Sequence, residues 1–158
     1  MSAPPAPPSA IRLSARLLVE DAGRVLVARS LDGGHRFLPG GGVEPGEPAA
    51  EAALRELEEE AGIARARVRV GAVLGALEHS WTERGRGFHH LDLVMAARVE
   101  GLGAGDPVPA REPHLAFEWI AWEDLPAAAD LFPRAYRTLL PRWRDGAAAP
   151  FASDMAAR

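Results

Sequence analysis

Residues 48–62 leave this chain little choice but a helix. Pro48 suits a first helical turn, where its missing N–H is no loss, and Glu47 precedes it. From residue 49 to residue 61 the chain uses only Ala, Glu, Leu and Arg, all good helix formers. Gly62 supplies the stop, because glycine takes the left-handed conformation that closes a helix. Ala53, Leu57 and Ala61 fall on one apolar stripe, so the helix must lie against something.

What it can lie against is a sheet. Residues 11–19 and 24–29 are β-like runs, and Asp21-Ala22-Gly23 between them reads as a hairpin turn. Residues 68–77, 91–99 and 116–121 are rich enough in β-branched and apolar side chains to be strands. Asp32-Gly33-Gly34 marks a turn, and Leu38-Pro39-Gly40-Gly41-Gly42 is too flexible for a helix or a long strand. A polar, aromatic-containing loop is expected over 79–90 and a second loop over 101–113. Residues 131–143 predict a last helix with Pro133 in its first turn. Strands mixed with two helices predict one α/β domain over 11–144, and 158 residues suit a single core. Residues 1–10, rich in Pro, Ala and Ser, read as a disordered tail, and residues 145–158 as a loose C-terminal tail.

The predicted helix carries the chemistry. Glu56, Glu59 and Glu60 are spaced so that their carboxylates share a face. Like charges so placed destabilise a helix by about 0.2–0.5 kcal/mol per pair, a cost that a divalent cation would remove. Hard oxygen donors suit Mg2+ or Mn2+, and Mg2+ commonly bridges carboxylates to phosphates. Just before the helix, Gly40-Gly41-Gly42 lets the backbone approach a ligand closely. Taken alone, either feature is ordinary: a solvated acidic face, or a turn.

Composition removes several alternatives. The chain has no cysteine, so disulfides, thiolate metal sites and a cysteine nucleophile are excluded. It has no Lys, Asn or Gln, and all 18 basic residues are Arg. No lysine can therefore form a Schiff base, and no side-chain amide can read a purine edge. A net charge of −4 disfavours a general nucleic-acid-binding surface. No apolar run approaches the ~20 residues of a membrane helix, and no signal-peptide pattern opens the chain, so a cytoplasmic protein is expected. No serine lies in a nucleophile-elbow pattern. His79, His89, His90 and His114 match no structural zinc spacing, and zinc is not expected.

Together, glycine loop and helix resemble the Nudix box. That box asks for Gly, five residues, Glu, seven residues, then Arg-Glu-apolar-any-Glu-Glu-any-Gly-apolar. Gly41, Glu47, Arg55, Glu56, Leu57, Glu59, Glu60, Gly62 and Ile63 fill every fixed place. At about a tenth abundance for each of the seven invariant residues, chance gives about one match in ten million per register. The resemblance implies a Nudix-type α/β/α sandwich with a mixed sheet between helices. It also implies that Glu56, Glu59, Glu60 and the Gly40 carbonyl hold Mg2+ or Mn2+, and that Arg55 pairs with Glu47. Leu57 and Ile63 would be core, Gly41 and Gly62 backbone necessities.

Downstream, Glu112-Pro113-His114 and Glu118-Trp119 are similar to the closing segment of bacterial Nudix proteins. In that family an acidic residue outside the box often serves as ligand or general base. Glu112 is the first candidate and Glu118 the second, so the catalytic set is Glu56, Glu59 and Glu112. Trp81, Arg84 and Phe88 are candidates for holding a base and phosphates over the site, since aromatic and Arg planes stack on bases. Arg29, Arg36 and Gly41 are further substrate-binding candidates.

The expected activity is hydrolysis of a diphosphate bond in a nucleoside diphosphate derivative or a nucleoside triphosphate. Water would attack phosphorus, with Glu56 or Glu112 removing its proton. The alternative is a ligand-sensing module without turnover. Sensors can lose box carboxylates and are usually fused to a DNA-binding domain; this box is intact and 158 residues leave no space for one. Neither the proline of ADP-ribose hydrolases nor the tyrosine of dinucleoside polyphosphate hydrolases follows the box, and Glu78 stands about sixteen residues past it. The implied partner is a small nucleotide, with no nucleic acid and no membrane; the family also allows a homodimer.

Overall fold

Strand β1 (Ile11–Asp21) is hydrophobic on both faces, and that fixes the layering. Ala15, Leu17 and Val19 belong to one buried cluster, shared with Ala52, Ala53, Leu57 and Ala61 of helix α1 (Ala49–Ala61). Leu18, between them, points the other way. It joins a cluster with Tyr136, Leu140 and Trp143 of helix α2 (Tyr136–Arg144). Successive strand residues face opposite sides, so this sheet is covered by a helix on each. The expected α/β/α sandwich is what forms. The computed structural model describes residues 6–155.

The other strands are β2 (Arg24–Ser30), β3 (Arg36–Phe37), β4 (Gly40–Gly42), β5 (Val68–Glu83), β6 (Arg86–Val99), β7 (Leu115–Ala121) and β8 (Phe151–Ser153). They make an eight-stranded sheet in the order β3-β2-β1-β6-β5-β8, with β4 added on β1 and β7 on β2. The sheet is mixed. β1 runs parallel to β6, while β5 and β6 form a long antiparallel hairpin. On its other side β1 forks. Residues Ser14 to Arg16 pair with Gly42 to Gly40, and Glu20 and Asp21 turn into β2. The glycine segment is thus a short strand. Gly40 has φ +124, and a Cβ there would meet the Ala15 carbonyl oxygen at 2.1 Å, so only glycine fits.

Four expectations need correction. Residues 79–90 are not a loop: β5 continues to Glu83 and β6 begins at Arg86. Arg84 and Gly85, at φ 49 and 75, make the two-residue turn that strand twist favours. The last helix starts at Tyr136, not at residue 131. Leu131 instead bridges Arg36, and the Phe132 N–H donates to the Arg36 carbonyl at 2.8 Å, which holds the chain extended there. The C-terminal segment is not wholly loose, since β8 pairs in parallel with β5 from Ala76 to Glu78. Near the start, Ala6 bridges Arg86 and exchanges backbone hydrogen bonds with Gly85 and Gly87, so the predicted tail is ordered from residue 6. Residues 1–5 and 156–158 lie outside the described residues. Among the described residues, no helix is long and apolar enough to cross a membrane.

Candidate active site

Packing of the apolar stripe of α1 against the sheet turns Glu56 and Glu60 toward β4. The Gly40 N–H donates to Glu60 Oε2 at 3.4 Å. The Glu56 carboxylate lies against Gly41 so closely that a Cβ there would sit 2.5 Å from its carboxyl carbon. The two side chains therefore share one side of α1, and a wall of backbone faces them. Their exposures differ: Glu60 is 7% exposed, the Glu56 side chain 22% and the Glu59 side chain 53%. Glu59 is thus the outermost of the three.

Arg55 ties the loop to the helix. Its guanidinium donates to both Glu47 carboxylate oxygens, at 2.8 and 3.1 Å, and to the Gly42 carbonyl at 3.1 Å. It also reaches Glu56 Oε1 at 2.9 Å and lies 3.5 Å from Glu59 Oε2. The fork geometry suits arginine and no other side chain. Hydrogen bonding to Arg55 holds the Glu47 carboxyl down at about 2, and Glu47 in turn raises the arginine. Leu57 and Ile63 are core, at 0% and 5% exposure. Gly62 caps α1 at φ 68, its N–H donating to Glu58. Glu58 pairs with Arg65 at 3.0 Å on the surface.

Burial pushes the Glu60 carboxyl up to about 8, against the pull of the Gly40 N–H and Arg16; the charges of Glu56 and Glu112 push the same way as burial. Among the described residues Glu60 has no ion-pair partner within 4 Å, and two other carboxylates act on it. A divalent cation fits that deficit, and the all-oxygen donor set fits a hard one. The Glu112 carboxylate, whose charge is felt at Glu60, lies 3.2 Å from His114 Nε2. The Arg111 N–H donates to the Glu60 carbonyl, which anchors that loop to α1. The Gly40 carbonyl accepts Arg16 Nη1 at 2.6 Å, leaving one lone pair for any other contact.

Not every expected residue joins this cluster. Arg29 and Arg36 are held by Glu118 and Asp130 instead. Arg29 reaches Glu118 at 2.6 Å and Arg36 reaches Asp130 at 2.5 Å. Both guanidiniums are ion-paired in this network. Glu118 belongs to that network and not to the glutamate cluster. Trp81 and Phe88 stack across the β5–β6 hairpin, with centroids 5.0 Å apart, and Arg84 sits at its exposed turn. Trp81 and Phe88 border a recess of about 760 Å³, shared with Pro8, Ile11 and Met155.

A second polar group was missed by the sequence reading. The strand registers set Asp92 beside Ser14 of β1 and His79 opposite His90. Asp92 is 1% exposed and accepts the Tyr136 hydroxyl at 2.6 Å. Burial acts to raise its pKa, but His79, Arg16 and Tyr136 outweigh that and hold it low. Burial also drives His90 down to about 4. A hairpin reading of residues 79–90 was the signal that would have paired these residues.

A mixed sheet between two helices, with a glutamate-bearing helix laid on a glycine strand, defines a recognisable class of fold. The NUDIX domain matches residues 10–142. An RNA pyrophosphohydrolase of Novosphingobium aromaticivorans is 32% identical over 150 residues, spanning 82% of this chain and 89% of that protein. Among solved structures, a MutT protein from Methanosarcina mazei superposes with a TM-score of 0.67 at 23% identity, covering 89% of this chain and 96% of that one. A Nudix hydrolase from Nitrosomonas europaea gives 0.68 at 19% identity, covering 89% and 93%. The chain belongs to the Nudix family and is a Nudix hydrolase.

Proposed function

We propose that this protein hydrolyses a diphosphate bond in a nucleoside diphosphate derivative or a nucleoside triphosphate, with Mg2+ or Mn2+ as cofactor. The observation that carries this reading is the pair Glu56 and Glu60, held on one side of α1 against the bare backbone of Gly40 and Gly41. Glu56, Glu59 and Glu60 are the residues that would hold the cation. When bound, it supplies neutralisation of the diphosphate and acidifies a water.

The chain's own groups do the rest. Gly40 lets β4 pack against β1, and Gly41 leaves room for the Glu56 carboxylate beside the backbone. Arg55 fixes the distance between loop and helix through Glu47 and the Gly42 carbonyl. Glu56 or Glu112 takes the proton of the attacking water, which adds to one phosphorus as that atom's bond to the bridging oxygen breaks and the other phosphate-bearing fragment leaves. The Trp81–Phe88 pair offers a flat surface on which a base can stack, with Arg84 nearby for a phosphate. Arg29 and Arg36 serve the scaffold, holding β7 and residue 130 to β2 and β3.

The relative named as an RNA pyrophosphohydrolase adds phosphorylated RNA ends to the substrates worth testing. The net charge of −4 argues against broad nucleic-acid affinity. The test is phosphate release from nucleotide sugars, dinucleotides, triphosphates and triphosphorylated RNA, with Mg2+ or Mn2+. Turnover of a small nucleotide that Glu60→Gln almost abolishes is the expected result. Wild-type turnover in that variant would refute the assignment. Tight nucleotide binding without turnover in either metal would instead favour a sensor.

A further inference from the structure

Tyr136, Ser14, His79, His90 and Asp92 meet on the sheet face covered by α2, with Arg16 between Asp92 and the Gly40 carbonyl. We propose that His79, His90 and Asp92 form a second, separate cation site, suited to a borderline transition ion such as Zn2+. Each of the three offers a ligand atom, and these atoms lie within 4.8 Å of one another. A tetrahedral Zn2+ with bonds of about 2.0–2.1 Å needs ligand atoms about 3.3 Å apart, a contraction that side-chain rotation supplies. Two imidazoles and a carboxylate are also the wrong set for Mg2+, which prefers oxygen alone.

An orphaned carboxylate oxygen and a histidine nitrogen beside it point to a ligand. Asp92 is 1% exposed, yet its Oδ1 has no hydrogen-bond partner. His79 Nε2 is buried too and faces Asp92 Oδ2 at 3.2 Å. Buried polar atoms left without partners cost about 1–3 kcal/mol each, so something is expected to meet them. A cation between the two side chains would meet both.

The surrounding groups are arranged as supports of ligands usually are. His90 Nδ1 hydrogen-bonds Ser14 Oγ at 3.0 Å, which fixes the ring and leaves Nε2 for a metal. The Tyr136 hydroxyl holds Asp92 Oδ2 at 2.6 Å. Trp81 stacks on His79 at 5.4 Å and meets His90 edge-on at 4.6 Å, so both rings are braced. Opposing this, Arg16 Nε lies 3.9 Å from Oδ2 and repels a cation. The site should therefore bind more weakly than an all-cysteine structural centre. Three protein ligands leave a fourth position for water or a substrate oxygen.

The experiment is a titration of tag-free, full-length protein with Co2+, a spectroscopic stand-in for Zn2+. One equivalent should give the visible d–d absorption of a four- or five-coordinate ion. Zn2+ should displace it and excess Mg2+ should not. The absorption should survive in the Glu56→Gln/Glu60→Gln double variant. It should weaken at least 10-fold in affinity in His79→Gln, His90→Gln and Asp92→Asn, each checked for folding by circular dichroism. Loss in the glutamate variant with retention in the histidine variants would place the ion on α1 and overturn the proposal. So would a folded wild type with no such absorption. Should the histidine variants not fold, X-ray absorption of the Zn2+-loaded wild type decides: two imidazole ligands support the site, and fewer overturn it.

Discussion

Glu60 is a carboxylate with a peptide N–H as its hydrogen-bond partner, set among other carboxylates. In the unfolded chain it releases its proton near 4.5, and in the fold near 8. The folded state therefore holds an extra proton between those values, and stability without metal falls as pH rises through that window. The contribution is complete below pH 4.5 and gone above 8, amounting to at most about 5 kcal/mol. Melts of chelator-treated protein at pH 5 and pH 8.5 should show the fall, and Glu60→Gln should flatten it. An equal slope in both proteins would remove Glu60 as its source. Gly41→Ala probes the same wall sterically. Its methyl group would displace the Glu56 carboxylate, so Mg2+-dependent turnover should drop about 10²-fold or more while the fold survives. Circular dichroism alongside initial rates checks this, and unchanged rates would show that Glu56 needs no contact with the glycine strand.

At the scale of elements, α1 was legible from composition alone, and its bounds match the expected 49–61. So was its acidic face, since helical spacing fixes which side chains share a side. The far half of the β5–β6 hairpin was not. His79, Trp81, Phe88 and His90 point to one face of it, and they are too polar and aromatic to read as an apolar strand. The start of α2 was hidden because tertiary pairing of Leu131 with Arg36 overrides helix preference. The ion pairs of Arg29 and Arg36 were hidden for a related reason: Asp130 is 94 residues from Arg36, beyond any local pattern. The ends of α1 make a sharp test. Gly62 sits at φ 68 with the Arg111 side chain close by, so Gly62→Ala should cost about 1–3 kcal/mol. Calorimetry should record a fall of roughly 2–4 °C per kcal/mol. Arg55→Lys should keep the charge but lose the fork to Glu47 and Gly42, raising the Mg2+ concentration needed for half-maximal rate. No change in that concentration would dissociate Arg55 from the site.

For the whole molecule, the sheet is closed at one edge by the C-terminal segment. β8 lies along β5, and Trp143 of α2 donates to the Ala149 carbonyl at 2.8 Å. Deleting residues 147–158 should lower the melting temperature and promote aggregation, because β5 would become an open edge. Light scattering during a thermal ramp reads both, and unaltered behaviour would make that segment dispensable. The three-glycine strand has a consequence of a different kind. Two of its three positions admit no side chain: any residue added at position 40 collides with β1, and any added at position 41 collides with Glu56, while position 42 is open. A change in what such a scaffold accepts is therefore confined to side chains outside positions 40 and 41.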